Sequence, residues 1–225
     1  MNILMIDVGG TNVKLMASGH EGRRKVRSGP KLTAAQMAKE VLKATEDWNY
    51  KAISLGFPGL VNEGRPAREP LNLGGGWLNF DYEKALGKPL RFLNDAAMQA
   101  LGGYKHGRML FLGLGTGMGS AMVIEGSVVP LELAHLPYKK GLTYEDYLGV
   151  AGLHRRGKKK WRASVLEVVQ LLEAAMICDT VLLGGGNAKF MKDLPSHVVV
   201  GSNENAIHGG FRLWEDPMGK KAAKV

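Results

Sequence analysis

The feature of the sequence that most constrains the fold is a strand–glycine–strand unit that occurs twice. Residues 2–17 comprise an apolar run, a glycine-rich turn over 9–12 and a second apolar run, which is the pattern of a β-hairpin. Residues 109–124 repeat this pattern around a glycine turn over 115–119. Each unit is followed by mixed helical and strand patterns. The repetition therefore predicts a duplicated, two-lobed α/β fold with two facing glycine turns.

Apolar spacing and turn residues predict the remaining elements. Thr33 is a predicted helix N-cap, and Asn94-Asp95 stands where a strand gives way to a helix. Residues 70–77 are rich in glycine and are predicted to form a loop, and we expect a frayed tail from residue 220. Further helices are predicted over 33–48, 80–86, 161–176 and 206–214, and further strands over 52–57, 90–93 and 180–183.

The charge of the chain points to an anionic partner. Its formal net charge is +9, and six of the eight residues over 155–162 are Lys or Arg. A chain this basic is expected to meet nucleic acid, an anionic membrane or inorganic polyphosphate. For the basic run itself, the plainer alternative is a solvated loop ahead of a helix. No nucleic-acid-binding motif accompanies the charge, so we expect no nucleic-acid partner.

Several features predict a cytoplasmic protein. No stretch approaches the roughly 20 apolar residues that a bilayer-spanning helix needs, so no membrane partner is expected. The first residues carry neither a basic leader nor a small-residue cleavage site. Cys178 is the only cysteine, which excludes an internal disulfide and a cysteine-rich zinc site.

The first glycine turn has the composition of a phosphate-binding loop. Glycines let backbone amides approach an anion closely, and neighbouring hydroxyl and amide groups add donors. The strand-end carboxylate is suited to a hydrated magnesium ion, and a lysine adds positive charge. The alternative is a plain hairpin turn, in which glycine and asparagine are common. The residues concerned are Asp7, Gly9, Gly10, Thr11, Asn12 and Lys14.

The second glycine turn, with Gly115, Thr116 and Gly117, is not a dinucleotide-binding loop. That motif requires a helix after the glycines, whereas residues 121–124 are strand-like and the G-x-G-x-x-G spacing is not met. A P-loop is also excluded, because the chain has no G-x-x-x-x-G-K-[ST] sequence.

Carboxylates, an amide and an imidazole outside these turns are candidates for catalysis and sugar binding. A carboxylate at the carboxyl end of a strand, such as Asp95, can accept the proton of an attacking hydroxyl, although Asn94 or Asp95 could instead cap the following helix. Glu132, His135 and Glu145 can hydrogen-bond sugar hydroxyls, but alone they are a weak signal.

In order and spacing, these segments resemble the ROK family of the hexokinase/actin-like superfamily, and within it the polyphosphate glucokinases. The resemblance spans about residues 3–212. It rests on the first phosphate motif at 6–11, the G-x-P-G segment at 56–61, an A-N-L-x-x-x-W-like segment at 71–77, N-D-A at 94–96, L-G-T-G-M-G-S-A at 114–121, V-P-x-x-E-L-x-H-like residues at 129–135, and nucleotide-side motifs at 182–186 and 202–204.

The resemblance implies a fold and a role for each candidate residue. The fold would be the two-lobed actin/hexokinase-like (ribonuclease H-like) α/β fold, with lobes over 1–104 and 105–225, an active-site cleft between them, and a last helix over 206–216 that packs back on the first lobe. Asp95 would be the general base, and the two glycine turns would hold phosphates, with Mg²⁺ near Asp7, directly or through water. Sugar-binding residues would be Asn94, Glu132, His135, Glu145 and, less strongly, Asn72; the nucleotide-side residues would be Gly184, Gly185 and Gly186.

Three departures from the family pattern carry expectations of their own. Most ROK proteins have a cysteine-rich zinc motif between the histidine and the second sugar-binding glutamate, but residues 136–144 hold no cysteine, as in polyphosphate glucokinases. Ala134 replaces a family glycine, which would strain the backbone if that turn needs a positive φ. Gly74-Gly75-Gly76 replaces more ordered residues and predicts a mobile loop.

The resemblance predicts a sugar kinase, with a homodimer expected. It would transfer a phosphoryl group from polyphosphate, ATP or both to the 6-hydroxyl of glucose or a related hexose. A strictly ATP-dependent hexose kinase is one alternative. Another is a non-catalytic sugar-binding regulator, a class that carries a DNA-binding domain ahead of the kinase-like fold. The first strand begins at residue 2, which we expect to leave no room for such a domain.

Overall fold

A computed structural model describes residues 1–202 and 204–215, which form two compact units. The first unit comprises Met1–Met98 and Ala206–Glu215, and the second comprises Gln99–Asn205. The break between them falls at 98/99, six residues before the end of the lobe predicted over 1–104.

The first unit is built on a five-stranded sheet, whose strands lie in the order β3 (Arg24–Arg27), β2 (Asn12–Ala17), β1 (Ile3–Val8), β4 (Ala52–Phe57) and β7 (Leu90–Asn94). Its pairs β1–β2 and β2–β3 are antiparallel, whereas β1–β4 and β4–β7 are parallel. Its elements are β1 (Ile3–Val8), β2 (Asn12–Ala17), β3 (Arg24–Arg27), α1 (Ala34–Ala44), β4 (Ala52–Phe57), the two-stranded ribbon β5 (Val61–Asn62) and β6 (Arg65–Pro66), α2 (Tyr82–Leu86), β7 (Leu90–Asn94) and the start of α3 (Asp95–Gly103).

The second unit is built on a sheet whose strands lie in the order β10 (Ser127–Leu131), β9 (Met118–Ile124), β8 (Arg108–Leu114), β11 (Thr180–Gly184) and β12 (Val198–Val200). Besides the end of α3, its elements are β8 (Arg108–Leu114), β9 (Met118–Ile124), β10 (Ser127–Leu131), a 3₁₀ turn (Leu133–His135), α4 (Tyr144–Leu148), α5 (Val150–Met176), β11 (Thr180–Gly184), a second 3₁₀ turn (Ala188–Phe190) and β12 (Val198–Val200). Helix α6 (Asn205–Arg212) follows.

The two sheets have the same topology, which confirms the predicted duplication. In each, the glycine hairpin supplies the first two strands, the third strand extends the antiparallel side, and the fourth and fifth extend the parallel side. Strand β4, which lies between β1 and β7, is buried along its whole length. This burial is typical of a parallel strand that is covered on both faces.

Local signals account for helix α1. The Thr33 side chain accepts the Gln36 N–H while the Gln36 side chain accepts the Thr33 N–H, so the predicted N-cap is confirmed as a capping box. Met37 and Val41 point into the core. The helix ends at Ala44 rather than at residue 48, where it was predicted to end.

Helix α5 corrects the prediction made for the basic run. A helix was predicted over 161–176 with a solvated loop before it as one alternative, but helical backbone begins at Val150 and is interrupted only at Gly157, with φ 70° and ψ 159°. The loop alternative is therefore wrong. Buried Leu153 and Trp161 hold this polar stretch against the core, and the Trp161 indole donates to the Leu148 carbonyl at 2.9 Å.

Each unit has its own apolar core. In the first, the sheet packs against α1 and α2 around Trp77, Phe57 and Leu55; in the second, β8 and β11 pack against α5 around Trp161 and Val165. The segment after α6 contacts the first sheet: Arg91 donates to the Leu213 carbonyl at 2.7 Å, and the Trp214 indole donates to the Ser54 hydroxyl at 2.9 Å. Within the described residues, no helix combines the length and apolar character needed to cross a membrane.

Candidate functional site

The first glycine turn places a carboxylate and a lysine side by side. Asp7 on β1 is paired in register with Lys14 on β2, and Lys14 Nζ lies 3.1 Å from Asp7 Oδ2. The turn is closed by a hydrogen bond from the Gly9 N–H to the Asn12 carbonyl, at 3.1 Å. A Cβ on residue 9 would lie 2.9 Å from that same carbonyl oxygen, so this close approach requires glycine. Thr11 and Gly10 are exposed at the tip of the turn.

Asn72 lies beside this turn. A Cβ added to Gly10 would be 3.5 Å from the Asn72 Cβ, which makes the two positions neighbours. Asn72 is a predicted sugar-binding residue and Gly10 a predicted phosphate-binding residue, and no sequence pattern indicates that the two are neighbours. The structure therefore joins one predicted sugar residue to the first predicted phosphate turn.

The glycine loop that carries Asn72 is anchored by hydrogen bonds at its far end. The Glu69 carboxylate accepts the backbone N–H groups of Gly76 and Trp77 at 3.1–3.2 Å. The indole of Trp77 is fully buried and donates to the Gly74 carbonyl at 2.6 Å. These contacts tie down a segment that the sequence predicted to be mobile, and Glu69 is a residue that sequence analysis did not single out.

Asn94 and Asp95, both considered as caps of the following helix, differ in burial and in their hydrogen bonds. Asn94 is buried, and its Oδ1 accepts the Ala97 N–H at 2.7 Å, which is the contact of a helix cap. Asp95 is exposed at the first turn of α3, and its Oδ1 accepts the Ala96 N–H at 2.8 Å. The capping role therefore belongs to Asn94, whereas Asp95 is an exposed residue that does not make this cap contact.

Strand register brings these residues to one edge of the first sheet. Asp7 on β1 pairs with Gly56 on β4, and Phe57 on β4 pairs with Asn94 on β7. The three strands are parallel, so their carboxyl ends lie at the same edge. The carboxylates of Asp7 and Asp95 consequently belong to the edge where open α/β sheets bind ligands.

The second glycine turn is held by a hydrogen bond of its own and by two neighbouring segments. Its own Gly115 N–H donates to the Gly117 carbonyl at 3.1 Å, and the first N–H of α5, on Val150, donates to the Gly115 and Thr116 carbonyls, each at 3.1 Å. The Asn187 side chain donates to the Gly115 carbonyl at 3.1 Å. Asn187 was not predicted as a site residue, because nothing in the local sequence links it to a turn 72 residues away.

The predicted nucleotide-side segment Gly184–Gly186 lies against this turn. Gly185 has φ 79°, and a Cβ there would be 2.6 Å from the Leu114 carbonyl oxygen, so both the conformation and the space require glycine. The Asn187 N–H also donates to the Leu114 carbonyl, at 2.9 Å. The companion motif at 202–204 includes Asn203, which lies outside the described residues.

Glu145 contacts the second glycine turn directly. Its Oε2 accepts the Met118 N–H at 3.1 Å, and a Cβ on Gly117 would be 2.2 Å from the same oxygen. The side chain is directed there by the start of α4, where Thr143 and Asp146 form a capping box. Hydrogen bonds from the Thr143 backbone and hydroxyl lower the pKa of Asp146, because they stabilise its charged form.

Glu132 and His135 form an exposed pair in the second unit. His135 Nε2 lies 3.7 Å from Glu132 Oε2 across the 3₁₀ turn Leu133–His135. The Ser120 hydroxyl fixes this turn by donating to the Leu131 carbonyl and accepting the Leu133 N–H. Ala134 is buried in the turn and does not adopt a positive φ, so the condition on which strain was expected at this position is not met.

Aromatic packing holds residues 136–144, the segment that contains no cysteine. Tyr138 and Leu142 close a small hairpin, in which the Tyr138 N–H donates to the Leu142 carbonyl at 2.7 Å. The Tyr138 ring lies 4.8 Å from that of Tyr147, and Lys139 forms an ion pair with Glu167 on α5. The same lysine lowers the pKa of the Glu167 carboxyl. Across residues 1–202 and 204–215, no cluster of three or more His, Cys, Asp or Glu side chains could hold a metal ion.

Two like sheets, each opening on a glycine hairpin, define a duplicated α/β protein of the actin/hexokinase-like fold. Residues 3–130 match the model of the ROK family, and the chain belongs to that family.

Related proteins agree with this assignment. Polyphosphate glucokinase of Mycobacterium leprae is 26% identical over 202 residues, which cover 80% of this chain and 62% of the relative, so the chain spans less than two thirds of that relative's length. The inorganic polyphosphate/ATP-glucomannokinase of Arthrobacter sp. strain KM superposes with a TM-score of 0.75 at 24% identity, over 93% of this chain and 96% of the other. A ROK family protein from Streptococcus pneumoniae in complex with sucrose superposes with a TM-score of 0.77 at 14% identity. The match covers 99% of this chain and 100% of the other.

Proposed function

We propose that this protein is a sugar kinase that phosphorylates the 6-hydroxyl of glucose or a related hexose, with polyphosphate as a donor and ATP as a second donor. The observation that carries the proposal is the position of Asp95 in a ROK family chain. This exposed residue follows β7 at the same sheet edge as Asp7 and the first glycine turn.

Asp95 is proposed as the general base. Its carboxylate would accept the proton of the sugar hydroxyl as that oxygen forms a bond to the terminal phosphorus of the donor. The bond from this phosphorus to the bridging oxygen of the donor breaks, and the shortened polyphosphate, or ADP, leaves. The hydrogen bond from the Ala96 N–H holds Oδ1, and the buried side chain of Asn94 fixes the first turn of α3 beneath it. Phosphoryl transfer depends mainly on positioning and charge stabilisation, to which base catalysis adds about 10²–10⁴-fold.

Asp7 is proposed to hold Mg²⁺, directly or through water. Magnesium in phosphoryl-transfer sites is bound by one or two carboxylates, with water and donor phosphates as the other ligands. A single carboxylate beside a glycine turn fits that ligand set, although Oδ2 of this carboxylate is already paired with Lys14 Nζ. The ion would neutralise phosphate charge when bound, and Lys14 and the amides of the turn supply the chain's own positive potential.

The sugar-binding roles are proposed for Glu132, His135, Glu145, Asn94 and Asn72. Glu132 and His135 are exposed and paired, so both offer polar atoms to hydroxyl groups. Oε2 of Glu145 is engaged by Met118, so this residue would couple sugar binding to the second phosphate turn. Asn72 lies beside Gly10 of the first glycine turn, so its contact with the sugar would be near the transferred phosphate.

The choice of donor rests on charge and on the names of the relatives. Two similar proteins are named for polyphosphate, and one of these also for ATP. Lys158, Lys159 and Lys160 are exposed on α5, the helix that begins at the second glycine turn. A strictly ATP-dependent kinase is the alternative, favoured by the Gly184–Gly186 segment that lies against that turn. A homodimer, a cytoplasmic location and the absence of nucleic-acid and membrane partners stay predictions.

A coupled sugar-6-phosphate assay that crosses glucose and mannose with ATP and long-chain polyphosphate tests the proposal. We expect product with glucose and polyphosphate, and a polyphosphate KM that rises with ionic strength more than the ATP KM does, because polyanion binding releases counterions. Product with ATP alone would overturn the donor proposal. Sugar binding without turnover on any donor would favour the non-catalytic regulator instead.

A further inference from the structure

Two lysines from separate segments of the second unit converge on one aromatic ring. Lys158 Nζ of α5 lies 4.4 Å from the centre of the Phe190 ring, and Lys189 Nζ lies 5.2 Å from it. Lys158 directly follows Gly157, where the helix is interrupted, and so begins the second helical stretch of α5. Contact with an aromatic face is a favourable environment for an ammonium group.

The ring is connected to the second glycine turn through Asn187. This residue begins the 3₁₀ turn that carries Lys189 and Phe190, and the Phe190 N–H donates to its carbonyl at 3.0 Å. The Asn187 side chain donates to the Gly115 carbonyl. Two residues of chain span at most about 7 Å, so Lys189 lies within about that distance, Cα to Cα, of the residue that anchors the turn.

The two ammonium groups have no anionic partner in the described part of the chain. Both side chains belong to exposed residues, and neither forms an ion pair with a carboxylate there. Two like charges near one ring repel each other, and a bound anion between or beside them would relieve that repulsion. The arrangement is therefore suited to a ligand that carries several negative charges in a row.

We propose that Lys158, Lys189 and Phe190 extend the second glycine turn into a track for a chain of phosphates, with Phe190 holding the two ammonium groups in place. This inference rests on the proposed function, because it assigns the track to the distal part of the polyphosphate donor. A nucleic-acid strand is less well matched, because single strands bind by stacking bases on aromatic rings and this ring is already contacted by two cations. Short phosphate chains would occupy the glycine turn but reach little of the track.

The test is direct binding of fluorescently labelled long-chain polyphosphate, without sugar, at several salt concentrations. We expect the double variant Lys158→Gln, Lys189→Gln to raise the Kd about tenfold, and to reduce the slope of log Kd against log salt by about 1 to 2. The affinity of the double variant for unlabelled tripolyphosphate, measured by competition, should fall much less. Phe190→Leu, which keeps an apolar side chain, should give a Kd for long-chain polyphosphate between those of the unmodified protein and the double variant.

The matched control is Lys39→Gln, Lys43→Gln, which removes the same charge from exposed positions of α1 in the first unit. Equal losses in the two double variants would show that net charge alone is responsible and would overturn the track. Failure of the unmodified protein to bind long-chain polyphosphate would also overturn it, while ATP-dependent phosphorylation would leave the kinase proposal standing. A third outcome is that Lys158→Gln, Lys189→Gln selectively loses polyphosphate binding while the unmodified protein phosphorylates no sugar. This outcome would support the track and refute the kinase proposal.

Discussion

Replacing Gly117 with alanine should weaken the second glycine turn by displacing one carboxylate. A Cβ at this position would lie 2.2 Å from Oε2 and 3.0 Å from Cδ of Glu145, which is closer than non-bonded atoms approach. The same Oε2 accepts the Met118 N–H. Because the end of the glutamate side chain can rotate away, the expected cost is the loss of that hydrogen bond rather than a distortion of the backbone.

The size of the effect follows from the bond that is lost. Hydrogen bonds to charged groups contribute about 1.5–3 kcal/mol, and partial exposure of Glu145 reduces this to about 1–2 kcal/mol. For a chain of this length, that corresponds to a fall in Tm of about 2–8 °C. Gly115→Ala is the matched control: its Cβ would meet no atom within 4 Å, so the free energy of unfolding should change by no more than about 0.5 kcal/mol.

A double-mutant cycle measured by thermal unfolding isolates this contact. Glu145→Ala removes the three atoms nearest to the added methyl, so Gly117→Ala should cost little in that background. The interaction energy should be about 1–2 kcal/mol. Both single variants should also raise the sugar KM, because each removes Glu145 from its position. Strictly additive effects on stability would refute the reasoning.

Three further predictions concern the proposed base, the sugar pair and a surface ion pair. Asp95→Asn should lower kcat about 10²-fold or more with little change in sugar affinity, and near-normal turnover would rule out the general base. Glu132→Ala and His135→Ala should each raise the sugar KM and leave the donor KM nearly unchanged. A shift in the donor KM instead would indicate that the turn carrying these two residues contacts the donor and not the sugar. Arg24 lowers the pKa of Asp47 to about 2 through a side-chain hydrogen bond, so the pair stabilises the fold above about pH 4, and this contribution is lost as the pH falls through about 2. Asp47→Asn should therefore destabilise the protein near neutral pH but not near pH 2 in urea unfolding, and an equal effect at both would contradict the assignment.

Much of the fold is encoded locally, and these parts were predicted from the sequence. The two glycine hairpins, the capped start of α1 at Thr33 and the buried strand Ala52–Phe57 depend on apolar runs, turn glycines and a capping residue, all within a few positions. Three of the four edge strands of the two sheets, β3, β10 and β12, were missed. The strand Arg24–Arg27 has Val26 as its one apolar residue, and the strand Ser127–Leu131 contains Pro130. Both strands lie at the edge of a sheet, where a strand need not be apolar on both faces.

The start of α5 shows where local patterns mislead. Its first part contains the basic run, whose composition is typical of a solvated loop. Leu153 and Trp161 nevertheless face the core, and the helix is stabilised by that burial rather than by the polar residues between them. Two buried positions eight residues apart are too sparse for a helical period to be recognised in sequence.

The sequence by itself determined the duplicated architecture, the two glycine turns and the types of side chain available for phosphate and sugar chemistry. Only the tertiary structure decided which of them adjoin: Asn72 beside Gly10, Glu145 against the second turn, Asn187 on Gly115, and Lys158 with Lys189 at one ring. The physical reason is that turns and hairpins depend on neighbours along the chain, whose preferences are visible in composition. Contacts between distant segments depend on strand order and helix packing, which a one-dimensional pattern does not specify.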